Sequence, residues 1–194
     1  MADEHAAVLQ ALSVLPRWHV VHWGTPETST LLCLWVSGRE TLVPVDGSTV
    51  TYRGMRNPIH DGQLAGLLRR IQREQDLAAL ATPDATAARQ WLIDNWSRSG
   101  DDGAMGVWEF PRGGFLRWIH NGTLHVETGE GGPYDQPMPE PLREVLVDLG
   151  WNPPDRHYRN CWLQPDDDGL EDAASLAVLT PLAAFGFDAP PAWE

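Results

Sequence analysis

The first third of the chain alternates short apolar stretches with turn residues, a pattern typical of β-strands. Thr30–Val36 is an apolar run that suits a strand buried on both faces, and Asp46-Gly47 is a strong hairpin signal. We therefore predict a four-stranded antiparallel meander, preceded by an amphipathic helix at residues 3–15. The strands are predicted at Arg17–Trp23, Thr30–Val36, Glu40–Val45 and Ser48–Arg53.

Two helical patterns follow the meander. Leucine and isoleucine recur at i, i+3, i+4 and i+7 within Gly62–Leu80, and Asp61 is placed to cap this helix. The Thr-Pro-Asp sequence at 82–84 ends the pattern. A second helix is predicted over Ala85–Trp96, because its alanine, leucine and tryptophan side chains fall on one side.

The second half returns to strands and ends in helices. Asn121-Gly122 is a type I′ hairpin signal, and Gly150 marks the end of an amphipathic helix. Pro181 lies inside the last helical pattern, where we expect it to kink or split the helix. The predicted strands are Met105–Phe110, Phe115–His120, Thr123–Glu127 and Asn160–Gln164, and the predicted helices are Pro141–Leu149 and Leu170–Phe185.

The order of elements is therefore α-ββββ-α followed by α-βββ-α-β-α. Helices that flank runs of antiparallel strands indicate an α+β fold. We divide the chain into an N-terminal α+β part at 1–82 and a C-terminal part at 83–194. The sequence leaves open whether the two parts pack as one domain.

Charge narrows the classes of partner. The chain has 194 residues and a formal net charge of −13, and residues 127–194 contain 14 acidic residues and three arginines. Nucleic acid is a poor partner, since phosphate binding needs a basic face, whereas basic protein segments would be attracted. Solubility alone would also explain the charge. No apolar run approaches the ~20 residues of a membrane span, and residues 1–16 lack a basic start, so we expect a cytoplasmic protein.

The segment LGWNPPDRHYRNCWLQ at 149–164 is dense in residues able to do chemistry. A metal site would need Cys161, His157 and Asp155 to converge, but their spacing matches no zinc pattern, and a buried free thiol is the stronger interpretation. The aspartates at 166–168 resemble the turn of a calcium loop, but Ser175 stands where the bidentate glutamate belongs. We predict no metal, and we interpret these aspartates as the cap of the last helix.

Catalytic patterns are missing from the sequence. It contains no GxSxG elbow and no lysine, so neither a phosphate-loop lysine nor a Schiff-base lysine is available. His120 and His125 flank a predicted turn, where cross-strand polar pairing is favoured over metal binding. We predict that the protein is not an enzyme and needs no cofactor. An enzyme with a site assembled from dispersed residues is the open alternative.

The chain has ten tryptophans, a residue enriched at binding surfaces. Alternation places one apolar face of the second strand set against helices, and a mixed face opposite it. That mixed face suits an extended partner chain, unless helices of the first half cover it, and the sequence leaves both arrangements open. The apolar face has Trp108, Phe110, Leu116, Trp118, Leu124 and Val126. The mixed face has Val107, Glu109, Phe115, Arg117, Ile119, His125 and Glu127. The candidate partner-binding residues are Trp108, Phe115, Arg117, Trp118 and Ile119.

Residues 85–187 resemble actinobacterial proteins grouped with YbjN and with type III secretion chaperones of the CesT type. The resemblance rests on the α-βββ-α-β-α order, on LGWNPP at 149–154 after an amphipathic helix, and on RNCW at 159–162 before a helix that ends in FGF. Pro181 departs from the family pattern, in which the last helix runs through. The resemblance implies an α+β sandwich that binds peptide segments or proteins without ATP, and it names no catalytic residue. The motif residues are Gly150, Trp151, Pro153, Asn160 and Trp162, and we interpret Trp151 and Trp162 as core anchors on either side of a surface loop at 155–159.

These observations lead to two hypotheses of function. The first is a non-enzymatic, chaperone-like module that holds a partner segment, possessing no nucleic-acid or membrane partner and compatible with a homodimer. The second is an immunity- or assembly-type protein that binds one folded partner through a fixed surface. Affinity for unfolded segments would distinguish the first hypothesis from the second.

Overall fold

The structure is a computed structural model that describes residues 17–22, 30–36, 39–46, 49–58, 63–98, 103–110, 113–130 and 138–185. It confirms the predicted α+β class, with antiparallel sheets flanked by helices. The predicted helix at 3–15 and the predicted cap Asp61 lie outside the described residues.

The first sheet has five antiparallel strands in chain order, one more than predicted. The additional strand follows a two-residue turn at Arg53 and Gly54, whose φ angles are 49° and 78°. Such a turn needs positive φ at both positions, and arginine is not a usual residue there, so local sequence signals did not indicate it. The strands are β1 (Trp18–His22), β2 (Thr30–Val36), β3 (Arg39–Asp46), β4 (Thr49–Tyr52) and β5 (Met55–Pro58).

The second sheet has four antiparallel strands in the order β6-β7-β8-β9. They are β6 (Met105–Glu109), β7 (Gly114–His120), β8 (Leu124–Glu130) and β9 (Cys161–Leu163). The turn between β7 and β8 is not the predicted type I′ hairpin. His120 pairs with Leu124 across a three-residue loop, in which Gly122 has a φ of 71° and Asn121 does not have a positive φ.

Hydrophobic register explains that loop. Residues paired across an antiparallel ladder share a face, so the apolar Trp118 must lie opposite Val126, as it does. A two-residue loop would have shifted the pairing by one and placed Trp118 beside the polar His125.

Four helices complete the described part of the chain. They are α1 (Gln63–Leu80), α2 (Pro83–Arg98), α3 (Glu140–Leu149) and α4 (Leu170–Ala184). A short 3-10 helix at Asp167–Gly169 leads into α4, and the side chain of Asp166 accepts a hydrogen bond from the N–H of Gly169. Asp166 therefore caps the 3-10 helix and not α4 as predicted, because the N-cap of α4 is Gly169, which has no side chain to accept a hydrogen bond. Among the described helices, none has the length and apolar character required to cross a membrane.

Pro181 does not split the last helix, and the alternative expectation of a kink stays a prediction. Helix α4 is continuous from Leu170 to Ala184 with Pro181 inside it. The proline removes one backbone donor in the final turn, and residues 177–185 are all buried, so packing on every side holds that turn in place. The hydroxyl of Thr180 donates to the carbonyl of Leu176 one turn earlier.

Helix α4 contacts elements from both parts of the chain. It packs on α2 and α3, and it also contacts α1 and β2 of the first part. The division at residue 82 stays a prediction.

The inner face of the second sheet is the apolar layer that the sequence predicts. Leu116, Leu124 and Val126 are buried in the main core cluster. The Trp118 ring meets the rings of Trp91 and Trp96 edge-on, with centroids 6.0 Å and 6.5 Å away. Tryptophan pairs in this geometry add to the stability given by burial alone.

The end of α3 also forms as predicted. Gly150 has a φ of 123°, and its N–H donates to the carbonyls of Leu146 and Val147, so it ends the helix in a conformation that favours glycine. Trp151 is 2% exposed, and its indole N–H donates to the hydroxyl of Thr180 at 2.8 Å. This hydrogen bond connects the segment that follows α3 to α4.

Gly106 provides a direct test of the inner layer. The Trp118 ring lies against Gly106, and a Cβ at that position would overlap the ring. We expect Gly106→Ala to lower the free energy of unfolding by about 1–3 kcal/mol, through displacement of the ring. Urea denaturation would measure this change.

Gly66 is the matched control. It lies in α1, where an added Cβ would have no neighbouring atom within 4 Å, so Gly66→Ala should raise the free energy of unfolding by about 0.5–1 kcal/mol. Equal effects of the two substitutions would contradict the packing described for Trp118.

Candidate functional site on the outer face of the second sheet

The outer face is the face of the second sheet opposite its apolar inner layer. The strand register fixes which side chains share it, because paired residues point the same way. It consists of three rows across the strands: Met105, Ile119 and His125; Val107, Arg117, Glu127 and Trp162; and Glu109, Phe115 and Gly129.

The predicted partner-binding residues divide between the two faces. Trp118 is 8% exposed on the inner face, and Trp108 packs there against the core, with its ring 5.1 Å from that of Phe110. Arg117 and Ile119 lie on the outer face and are partly exposed. Phe115 also belongs to that face, but it is 1% exposed. A role of these five side chains in binding stays a prediction.

Phe115 is buried where Gly129 has no side chain. A Cβ on Gly129 would lie 3.2 Å from the Phe115 ring, 3.0 Å from Asn160 Oδ1 and 3.3 Å from the methyl group of Met138. These groups therefore gather in the space above Gly129. The hydroxyl of Thr128 also donates to the carbonyl of Phe115, which ties β7 to β8 at this point.

The centre of the outer face is an ionic cluster of Arg117, His125, Glu127 and Asn160. Arg117 Nη2 donates to Glu127 Oε2 at 2.7 Å, and Asn160 Nδ2 donates to the same oxygen at 3.2 Å. His125 Nε2 lies 3.0 Å from Glu127 Oε1. The Glu127 side chain is only 8% exposed, so three polar neighbours compensate for its removal from water.

These contacts set the charge state of Glu127. Burial alone would raise the pKa of its carboxyl, but hydrogen bonds from His125 and Asn160 and the charge of Arg117 outweigh burial and lower the pKa below the ordinary 4.5. The ionic cluster therefore holds an ionised carboxylate.

Aromatic rings cover one side of the ionic cluster. The Tyr158 ring stacks on the His125 imidazole with centroids 4.3 Å apart and planes 24° apart. Trp162 lies 4.8 Å from Tyr158, between ring centroids. The loop that carries Tyr158 therefore folds over the β8–β9 half of the outer face.

Hydrogen bonds shape that loop. Asp155 Oδ1 accepts from the backbone N–H groups of His157 and Tyr158, and these bonds lower the pKa of the Asp155 carboxyl. The indole N–H of Trp162 donates to the carbonyl of Pro153 at 3.1 Å. Asn152 and Trp162 exchange two backbone hydrogen bonds and close the loop at its base.

The motif residues of 149–164 thus have different roles. Gly150 ends α3 and Trp151 is buried in the core, as predicted. Trp162 lies half-buried on the outer face and is not the core anchor that the sequence suggested. Asn160 donates a hydrogen bond to Glu127, so the loop at 153–160 contacts the ionic cluster directly.

The chemistry of these groups favours structure over catalysis. A general acid or base works best with a pKa near the operating pH, and the pKa of Glu127 is shifted away from it. Burial raises the pKa of the Cys161 thiol to about 11, so it stays protonated and is a poor nucleophile. Within the described ranges, no three His, Cys, Asp or Glu side chains converge as metal ligands. His120 points to the face opposite that of His125, because His125 pairs with Ile119 and His120 is the next residue along the strand from Ile119.

The β6 half of the outer face is open. Met105 is 66% exposed and Val107 is 46% exposed, and Glu109 is also exposed. Among the described residues, β6 pairs only with β7, so its other edge has no strand beside it. At the far side of the sheet, by contrast, Asn152 pairs with Trp162.

Comparisons of the chain with protein-family models, with curated proteins and with solved structures each gave no match.

The pKa of Glu127 makes a pH-dependent prediction. Because this pKa is lower in the folded protein than in the unfolded chain, the stabilisation is fully present above about pH 4.5 and is lost as pH falls through the folded-state pKa. We expect Glu127→Gln to lower the free energy of unfolding by about 1–3 kcal/mol at pH 7 and to flatten its fall below pH 4.5. Urea denaturation across a pH series measures both effects.

Asn160→Ala is the matched control for this experiment. It removes one donor but keeps the carboxylate, so part of the pH dependence should remain. Asp155 contributes equally to all three proteins and cancels in their comparison. Parallel pH curves for the wild type and Glu127→Gln would contradict the proposed electrostatics.

The stacking of Tyr158 can be tested separately. Tyr158→Ala should shift the ring proton resonances of His125 and speed amide exchange at 155–160, because a ring and its ring current are lost. Tyr158→Phe keeps the ring and should leave both close to wild type. If the two variants behave alike, the stacking is not what holds the loop.

Proposed function

We propose that the protein is a non-enzymatic, cytoplasmic module, chaperone-like in character, that holds an extended segment of a partner protein without ATP. The segment binds at the open edge of β6 and over the adjacent outer face. The open backbone edge of β6, beside exposed apolar side chains, is the observation that carries this proposal.

The hydrogen-bond pattern shows which backbone groups of β6 are available. The N–H of His120 donates to the carbonyl of Ala104 at 2.9 Å, and the N–H of Phe110 donates to the carbonyl of Gly114 at 2.6 Å. Bonding alternates along an antiparallel ladder, so residues 104, 106, 108 and 110 face β7. The N–H and C=O groups of Met105, Val107 and Glu109 therefore point to the open edge.

The side chains of the same three residues lie on the outer face. A strand added at this edge would form backbone hydrogen bonds with any sequence, and its alternate side chains would contact Met105 and Val107. Large exposed apolar side chains on a strand edge usually mark an interaction site or an aggregation hazard. This arrangement suits a partner that is extended rather than folded.

Two other sheet edges fit less well. The edge strand β5 of the first sheet is four residues long and contacts α1. The outer edge of β9 is paired at Trp162. The choice of β6 is therefore based on both its length and its exposed residues.

Charge supports the direction of the proposal. The chain carries a net charge of −13, which would draw basic segments to the protein. The resemblance of residues 85–187 to YbjN and to CesT-type secretion chaperones agrees with peptide binding. The α-βββ-α-β-α order behind that resemblance is present in α2, β6–β8, α3, β9 and α4.

Val107 allows a sharp test of the β6 edge. Its N–H points away from β7, so Val107→Pro should preserve the β6–β7 ladder and remove one donor from the open edge. We expect ten-residue peptides, selected from a random library on the wild-type protein, to bind Val107→Pro about tenfold more weakly or worse. Fluorescence anisotropy would measure the affinities, and circular dichroism would verify the fold.

Val107→Ala is the matched control, since it trims the side chain but keeps the N–H. It should weaken binding by only about two- to fivefold. Unchanged binding by Val107→Pro would refute the edge as the site. Failure of the library to yield any bound peptide would favour the alternative, a fixed surface for one folded partner.

A further inference from the structure

The open edge of β6 carries a charge at a defined position. Glu109 is exposed, and no described residue forms an ion pair with it. It shares the outer face with Met105 and Val107, at spacings of two and four residues. One end of the open edge is therefore acidic, and the remainder is apolar.

We propose that Glu109 selects a lysine or arginine at one position of the partner strand, and that the partner presents apolar residues two and four positions later. This inference rests on the proposed function, because it needs a strand bound at β6. Its occupant is an extended protein segment with a basic-x-apolar-x-apolar pattern.

The register gives the spacing. Antiparallel pairs are about two- to threefold commoner than parallel ones, so we place the added strand antiparallel to β6. Its first outer-face residue then lies opposite Glu109, its third opposite Val107 and its fifth opposite Met105. Residues directly opposite have Cβ atoms about 5 Å apart, close enough for a cation to pair with the Glu109 carboxylate.

The neighbouring rows agree with this pattern. Behind Val107, the positive charge of Arg117 is already paired with Glu127 at 2.7 Å, so that row offers the partner no free anion. Behind Met105 lies Ile119, which extends the apolar row. Phe115, behind Glu109, is buried and uncharged, which leaves the Glu109 carboxylate as the charged group of its row.

Three labelled peptides test the inference. The first contains Arg-Thr-Val-Thr-Leu between serine flanks, and the second has glutamate in place of the arginine. The third, Thr-Arg-Val-Thr-Leu, has the same composition as the first, but its arginine and first threonine have exchanged places, which turns the arginine to the inner face. Binding is measured by anisotropy in 0.15 M salt, where the Debye length of about 8 Å screens the net charge.

We expect the first peptide to bind about two- to fivefold more tightly than the third, and about tenfold more tightly than the second. Glu109→Arg should reverse the preference between the first and second peptides, and Glu109→Gln should abolish it. Circular dichroism would establish that both variants are folded.

The outcomes separate the inference from the proposed function. Equal binding of the first and third peptides, or no reversal in Glu109→Arg, would overturn the inference. Binding at the edge would remain supported, provided that Val107→Pro still weakens binding about tenfold. Binding of none of the peptides to the wild-type protein would count against both.

Discussion

The rest of the structure depends on the burial of helix α4. Its residues from Ala177 to Ala184 are buried on all sides, and Ala173 and Ala174 are buried as well. A helical segment that is buried on all sides needs neighbouring elements around it, and α4 contacts α1, α2, α3 and β2. Its many alanines are small and allow these neighbours to approach closely. Burying an alanine also costs no side-chain conformational entropy.

The packing around α4 gives the two faces of the second sheet different surroundings. The inner face meets α2 through Trp118 and meets the end of α4 through Phe110, whose ring centroid is 5.1 Å from that of Phe185. The outer face lies on the opposite side of the sheet from these helices. The loop at 153–160 covers half of it, and that loop is tied down by Glu127, an acid whose desolvation is offset by Arg117, His125 and Asn160. The segment at Gly150 and Trp151 therefore connects the core to the loop on the outer face.

Local signals in the sequence predicted most of this fold. Alternation identified the inner apolar layer, because side chains on a strand must alternate between faces, and Gly150 identified the end of α3, because only glycine readily adopts its φ of 123°. Where two signals competed, the non-local one prevailed. Asn121-Gly122 favours a type I′ turn, but matching Trp118 with Val126 required a three-residue loop. Pro181 disfavours a helix, yet burial of residues 177–185 maintained it.

The candidate site was less predictable than the fold, because more of its contacts are non-local. His125 and Glu127 are two apart on one strand, so their shared face could be derived from alternation. The approach of Tyr158 and Asn160 could not, because a loop residue has no periodicity and its position depends on where the loop ends at Asn152 and Trp162. Trp108 and Trp118 are candidate binding residues because of their size, but strand alternation places both on the inner face.

The two edges of the second sheet suggest why one was left open. Natural sheets protect an edge by pairing it, covering it or placing charge on it. The β9 edge is paired at Trp162, whereas in the described part of the chain the β6 edge has no paired strand and carries the charge of Glu109. Antiparallel pairing of β6 with the same strand of a second copy, centred on Val107, would place a methionine beside Glu109 and desolvate the carboxylate without a cation. A basic strand would supply that cation. The same side chain can therefore discourage self-association through this edge and still permit a complementary partner.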